Sequence, residues 1–264
     1  MSVFATISHL DCLYRNEIKE MTKLSVNLNK IALLRNSRGR DFPNVVKFAQ
    51  KFMNLGVQGI TVHPRQDERH ITQQDAYDLG DLLHDNKGVE YNIEGYPSAD
   101  FMALVAQIKP TQCTLVPDAP DQLTSDHGWD LTKDMLLVQE TCAQLKSMGV
   151  RAAIFLDPNV DHVELAAKSG CDRVEFYTES FAASFATDQA KSVYSEYQKA
   201  VARSIELGIE VNAGHDLDLQ NLPKFLQIPG VLEVSIGHVL TVECIEQGMQ
   251  SVVAQYLEIC KNSA

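Results

Sequence analysis

Short apolar runs recur along the chain, and four of them follow a helix-like stretch that stops at a glycine. Leu55-Gly56-Val57 precedes Gly59 to His63, Met148-Gly149-Val150 precedes Arg151 to Leu156, Ser169-Gly170-Cys171 precedes Arg173 to Tyr177, and Leu207-Gly208-Ile209 precedes Glu210 to Ala213. Glycine just past a helix end adopts the left-handed conformation cheaply, and repeated helix-to-strand units imply parallel strands. Leu24 to Asn27, Glu90 to Glu94, Gln112 to Pro117 and Val231 to Ile236 add further strand candidates, for about eight in all with helical patterns between most of them. That pattern predicts the α/β class and a (β/α)8 TIM barrel, whose active site lies at the C-terminal ends of the strands. The competing architecture, an open doubly wound sheet, usually carries a glycine-rich first turn, and no G-x-G-x-x-G or phosphate-loop motif occurs. With no linker or low-complexity segment, one barrel domain is expected over residues 21–264, preceded by an extension of residues 1–20.

Composition narrows the function classes. At 264 residues and 45% hydrophobic, the chain can bury about 70–75% of its unfolded surface in one domain. Its six cysteines are scattered without a C-x-x-C pair, so neither a disulfide framework nor a zinc site is indicated, and a reducing cytoplasm fits best. No apolar stretch approaches the roughly 18 residues of a membrane span and no secretory leader is recognisable, so no membrane partner is expected. A formal net charge of -12 repels nucleic acid, whose affinity for proteins rests on cations against phosphate. Against that acidic background, Lys30, Arg35, Arg38 and Arg40 cluster, and Arg65 and Arg69 form a second basic patch. Such patches hold small anions, phosphate esters foremost, although a solvated basic loop has the same composition.

The strand ends carry the chemistry. Gly214-His215 and Gly237-His238 each close an apolar run. A glycine lets backbone approach a ligand, and a histidine beside it can move a proton near neutral pH. The two pairs suggest one polar site at the strand tips, suited to phosphate. The period of two puts Thr61 and His63 on one face with Arg65 just beyond, Asn92 and Glu94 on one face, and Asn27 and Asn29 on one face. Desolvated at a barrel's catalytic end, Glu94 suits a general acid or base, though an arginine-paired structural role fits the same position. His84, His127 and His162 read as surface or packing residues. His215-Asp216-Leu217-Asp218 matches no strong ligand pattern, so no metal is expected.

Val26-Asn27-Leu28 with Leu34-Arg35-Asn36-Ser37-Arg38-Gly39, the run from Gly59 through His63-Pro64-Arg65 to His70-Ile71, Asn92-Ile93-Glu94, Leu115-Val116-Pro117, Val211 to His215 and Ile236-Gly237-His238 together resemble the pyridoxine 5'-phosphate synthase family. The resemblance is in order and runs from Leu24 to about the C-terminus. It implies a (β/α)8 barrel that condenses 1-deoxy-D-xylulose 5-phosphate with 3-amino-2-oxopropyl phosphate, with no metal or organic cofactor, acting as a homo-oligomer. By the same resemblance, His63 and Glu94 are acid-base residues and His215 is a proton donor. Asn27 and Arg38 hold the amino-ketone phosphate, and Arg65, His70, Thr124, Gly237 and His238 hold the deoxyxylulose phosphate. Asn29, Lys30 and Gly214 complete the expected substrate-binding set, and the stretch Leu123 to Gly128, after the fourth strand, is expected to form either a mobile lid or a surface loop with no gating role.

Four departures from the family pattern bear on substrate choice. Asn29-Lys30 stands where the family usually has Asp-His, Asp216 replaces a glycine, Tyr177 and Glu179 replace a histidine and a glycine, and Glu68 replaces an arginine. Asp216 would repel a phosphate about 4 Å away by roughly 4 kcal/mol at an effective dielectric near 20, so it must point away or serve a changed site. The alternatives are therefore a barrel enzyme acting on another phosphorylated carbonyl compound, or a non-catalytic paralogue. Retention of His63, Glu94 and His215 argues against the latter.

Overall fold

The computed structural model describes residues 21–118, 122 and 125–263. The expected extension 1–20 and Leu123 and Thr124 of the expected lid lie outside the described residues. Eight parallel strands close a barrel in sequential order: β1 Lys23–Asn27, β2 Gly59–Val62, β3 Glu90–Gly95, β4 Gln112–Leu115, β5 Arg151–Leu156, β6 Arg173–Tyr177, β7 Glu210–Gly214 and β8 Val231–Ile236. β8 pairs with β1, Val26 lying opposite Ile236, and this closes the ring. The helices are α1 Asn29–Asn36, α2 Val45–Asn54, α3 Gln73–His84, α4 Ala99–Ile108, α5 Met135–Ser147, α6 Val160–Ser169, α7 Glu179–Ser184, α8 Ala190–Glu206, α9 Leu222–Phe225, α10 His238–Gln247 and α11 Met249–Lys261.

The punctuation read from the sequence is physically present. Gly56, Gly149, Gly170 and Gly208 all adopt positive φ, between 76° and 96°, at the helix ends that feed β2, β5, β6 and β7. Helix starts are fixed as well: Asn44, Thr72, Ser98 and Asn159 each accept a backbone N–H at the beginning of α2, α3, α4 and α6. Losing such a cap costs about 1 kcal/mol.

Strand alternation sends apolar side chains outward against the helices. Ile60, Val62, Ile93, Val174, Phe176, Val211 and Val234 are fully buried there, with Phe52, Tyr197 and Phe225 from the helices. The inward face is polar. Ser25 and Thr61 hydroxyls meet at 2.8 Å, Thr114 donates to Asn92 Oδ1 at 3.0 Å, and Asn212 donates to Glu233 at 3.2 Å. An interior built this way must hold every polar group in a network, because an unpaired one buried there costs about 1–3 kcal/mol. The barrel core is therefore a hydrogen-bonded column, and it ends at the strand tips in a cavity.

Candidate active site

A cavity of about 470 Å³ opens at the C-terminal ends of the strands. Among its walls are Asn27 from β1, Asn29 and Lys30 from the start of α1, His63 and Arg65 after β2, His70, Glu94 from β3, His215 after β7, and Gly237 and His238 after β8. Ten of the expected residues thus share one space, though they are spread over more than 200 positions of sequence. Arg38 and Gly214 are not on its wall. Arg38 lies exposed in the turn after α1. At Gly214 a Cβ would meet Glu175 Oε1 at 2.7 Å and the Ser235 carbonyl at 2.9 Å, so that glycine makes room for the protein itself rather than for a ligand. Thr124 lies outside the described residues.

A helix N-terminus follows one of the two Gly-His tips and not the other. α10 begins at His238 directly after Gly237 with no side-chain cap, and α1 begins at Asn29, whose N–H donates to Asn27 Oδ1 at 3.0 Å, so two helix N-termini border the cavity and that of α10 is the uncapped one. Uncapped N-terminal amides favour anions. No helix starts at His215, because His215 and Asp216 both take left-handed conformations, φ 85° and 57°, which turn the chain away. Thr178 secures that turn: its N–H donates to the Gly214 carbonyl at 3.0 Å, and its hydroxyl reaches the carbonyls of both Gly214 and His215.

The acid-base groups are desolvated and close together. His63 Nδ1 lies 4.0 Å from Glu94 Oε2, and Asn27 donates to the same oxygen at 3.3 Å. Burial pushes the Glu94 carboxyl well above its ordinary range, and the neighbouring carboxylates Glu175 and Asp118 add to this. Burial, then the Arg65 cation, hold His63 well below the usual imidazole range. A base that is neutral thus sits beside an acid that keeps its proton.

His215 is half-buried between two rings, with centroids 5.2 Å from Phe155 and 5.1 Å, edge on, from Tyr177. Burial lowers its pKa, while Asp216 acts in the opposite sense. His70 falls to about 4 through burial and the nearby cations Arg65, Lys30 and Arg69. Its Nδ1 accepts the Ile71 N–H at 2.9 Å, leaving the other ring nitrogen to carry the proton as a donor. Asn29 Oδ1 accepts the His63 N–H at 3.0 Å, which ties the β1 and β2 tips together.

Sequence reasoning missed two members of this site. Glu175, inward on β6 and buried, has its pKa pushed up to about 8 by burial and by Glu233. Strand alternation through Arg173, Glu175 and Tyr177 carried the signal, since an inward carboxylate two positions below a strand tip belongs to the site floor. Asp118, just past β4, is ion-paired with Arg65 and receives the Ser125 hydroxyl at 2.7 Å. Arg65 also donates to the Gln122 carbonyl at 2.9 Å. The guanidinium expected to hold phosphate is therefore engaged by the protein itself. Among the described residues, no group of three or more His, Cys, Asp and Glu is arranged to hold a metal ion.

Imidazoles, buried carboxyls, cations and two helix N-termini thus gather at one barrel mouth, the end at which enzymes of the (β/α)8 barrel class keep their active sites. Sequence comparison makes the identification specific. Residues 24–262 match the family model described as pyridoxal phosphate biosynthesis protein PdxJ, and the chain belongs to that family, whose role is in vitamin B6 biosynthesis. It is 47% identical over 242 residues to the pyridoxine 5'-phosphate synthase of Christiangramia forsetii, covering 91% of this chain and 100% of that protein. It is 48% identical to the one from Bacteroides thetaiotaomicron, covering 89% and 98%. Among solved structures, phosphoribosyl anthranilate isomerase from Thermotoga maritima superposes with a TM-score of 0.60 at 11% identity, covering 91% of this chain and 99% of that one. The tryptophan synthase alpha-subunit of Pyrococcus furiosus gives 0.60 at 11% identity, covering 92% and 97%. These two likenesses concern the barrel fold.

Proposed function

We propose that the chain joins 1-deoxy-D-xylulose 5-phosphate to 3-amino-2-oxopropyl phosphate, giving pyridoxine 5'-phosphate, inorganic phosphate and water. One observation carries the reading: a single cavity unites His63, Glu94 and His215 with Lys30, Arg65, Arg69 and His70. Joining an amine to a ketone, expelling phosphate and water and closing the ring is a sequence of proton transfers, each of which a positioned group speeds by about 10²–10⁴-fold.

In this reading His63, held neutral, takes a proton from the attacking amine. Glu94, held protonated, donates to the departing hydroxyl and then, as the carboxylate, accepts the proton lost from carbon. His215 starts neutral, and its depressed pKa makes its imidazolium a strong acid once formed. The cations and the N-termini of α1 and α10 receive the two phosphates. The substrates are small, the surface charge disfavours nucleic acid, and assembly as a homo-oligomer belongs to the same proposal.

Purified protein incubated with both substrates should form pyridoxine 5'-phosphate at enzymatic rates, followed by absorbance. No product from the pair removes the proposal. Glu94→Gln should lower turnover by at least about 10²-fold while the far-ultraviolet circular dichroism stays unchanged; near-normal turnover rejects its acid-base role.

A further inference from the structure

Two charged side chains on the cavity wall lack a protein partner. Lys30 lies in the first turn of α1 and Asp216 two residues past β7, and neither has a hydrogen-bond or ion-pair partner for its charged group among the described residues. The guanidinium and other carboxyl groups on that wall are engaged: Arg65 with Asp118, Arg69 with Asp67, Glu94 with Asn27 and Glu175 with Thr114. Strand order puts only the β8 tip between Lys30 and Asp216. The cavity therefore presents a free cation and a free anion on either side of Gly237 and His238.

The turn does not need that anion. Asp216 sits at φ 57°, and its carbonyl is held by Asn221 Nδ2 at 3.0 Å. Glycine and asparagine adopt this backbone as readily as aspartate and would leave the wall uncharged. A carboxylate here also opposes a phosphate at the same spot by simple repulsion.

We propose that Asp216 is a specificity determinant, receiving the ammonium group of an amine-bearing phosphomonoester whose phosphate lies on the Lys30 side of the cavity. The inference rests on the proposed function, in which one of the two substrates has this chemistry. It also accounts for how the amine becomes a nucleophile. His215, the residue next to Asp216, is a neutral imidazole lone pair that can take the proton from the docked ammonium. One positive charge then stands beside Asp216 before and after the transfer, so the step separates no charge from the carboxylate.

The test compares 2-aminoethyl phosphate with ethyl phosphate by titration calorimetry on the whole chain. These probes share the phosphate and differ in the ammonium, and neither carries the ketone needed for condensation. Wild type should bind 2-aminoethyl phosphate at least about fivefold more tightly at low salt, with the preference shrinking towards about 1 M salt as screening shortens the field. Asp216→Asn preserves shape and the left-handed backbone, and should abolish the preference without weakening ethyl phosphate; Asp216→Glu should restore part of it. Equal binding of the two probes by wild type, or a preference that survives in Asp216→Asn, overturns the proposal. If Asp216→Asn does not fold, the wild-type ratio and its salt dependence decide alone. Absence of pyridoxine 5'-phosphate from the natural pair would instead sink the proposed function, so the two failures are distinguishable.

Discussion

Replacing Glu175 with glutamine should make the protein more stable in mild alkali and leave it nearly unchanged in mild acid. The Glu175 side chain is 2% exposed, shares the barrel interior with Glu94 and Glu233, and among the described residues has only the Thr114 hydroxyl, at 3.4 Å, as a hydrogen-bond partner. Its carboxyl keeps its proton up to about 8, against an ordinary 4.5, because of burial and then the charge of Glu233. A raised folded-state pKa means that the folded chain binds more protons than the unfolded one across that interval. Stability is therefore full below about 4.5 and is lost as pH rises towards 8. At 1.36 kcal/mol per pH unit, Glu175 alone should remove about 2 kcal/mol of wild-type stability between about pH 6.5 and 8.5. His63, His70 and His215, whose pKa values are lowered by folding, contribute in the opposite sense between about pH 6.5 and 7.5, where unfolded imidazoles lose their protons, but this contribution is common to wild type and variant and cancels in their comparison. Glutamine matches the neutral form in shape and cannot ionise. Urea midpoints across this pH range should fall more steeply for wild type than for Glu175→Gln, with a smaller slope remaining in the variant from Glu94 and Glu233. Parallel slopes would refute the claim that Glu175 is held protonated.

Two further outcomes follow from contacts at the cavity wall. Tyr177→Phe keeps a ring edge against His215 and should leave kcat within about twofold, whereas Tyr177→Ala should lower it about tenfold and move the acid limb of the pH–rate profile upward. The direction follows because removing the ring readmits water to an imidazole whose pKa burial had lowered; an unmoved limb in Tyr177→Ala would show that the ring does not position His215. Asp118→Asn replaces the ionic partner of Arg65 with a neutral one, so calorimetry should find inorganic phosphate bound several-fold more tightly. Unchanged or weaker binding would mean that the Arg65–Asp118 pair does not compete with phosphate.

The barrel was legible because two local signals agreed at four of the eight strands: glycine ends the helix, and an apolar run follows. The strand boundaries expected at Arg151, Leu156, Arg173, Tyr177, Val231 and Ile236 are those observed. Most of the site followed from the same logic. A period-two face places Glu94 and His63 inward whatever the distant chain does. What local pattern does not encode is pairing between strands far apart in sequence. Nothing near Arg65 announces that Asp118 occupies it, and nothing near Glu175 announces Glu94 as its electrostatic neighbour.

The two Gly-His pairs show where identical local sequence stops determining structure. Both glycines were expected to admit a ligand, and the expectation treated the pairs as equivalent. At Gly237 a Cβ would stand 3.0 Å from Asn27 Cβ, on the cavity wall, with a ten-residue helix starting at once. At Gly214 the crowding atoms belong to Glu175 and Ser235, and two left-handed residues follow instead of a helix. The difference is set after the pair: Val239-Leu240 continues into a helix that packs Leu240 in the core, whereas Asp216 bends the chain so that Leu217 is buried. One tip thus offers helix-end amides to an anion, and the other offers an imidazole and a carboxylate. A mouth divided this way suits a substrate with a phosphate at one end and an amine at the other better than it suits two equivalent phosphate cradles.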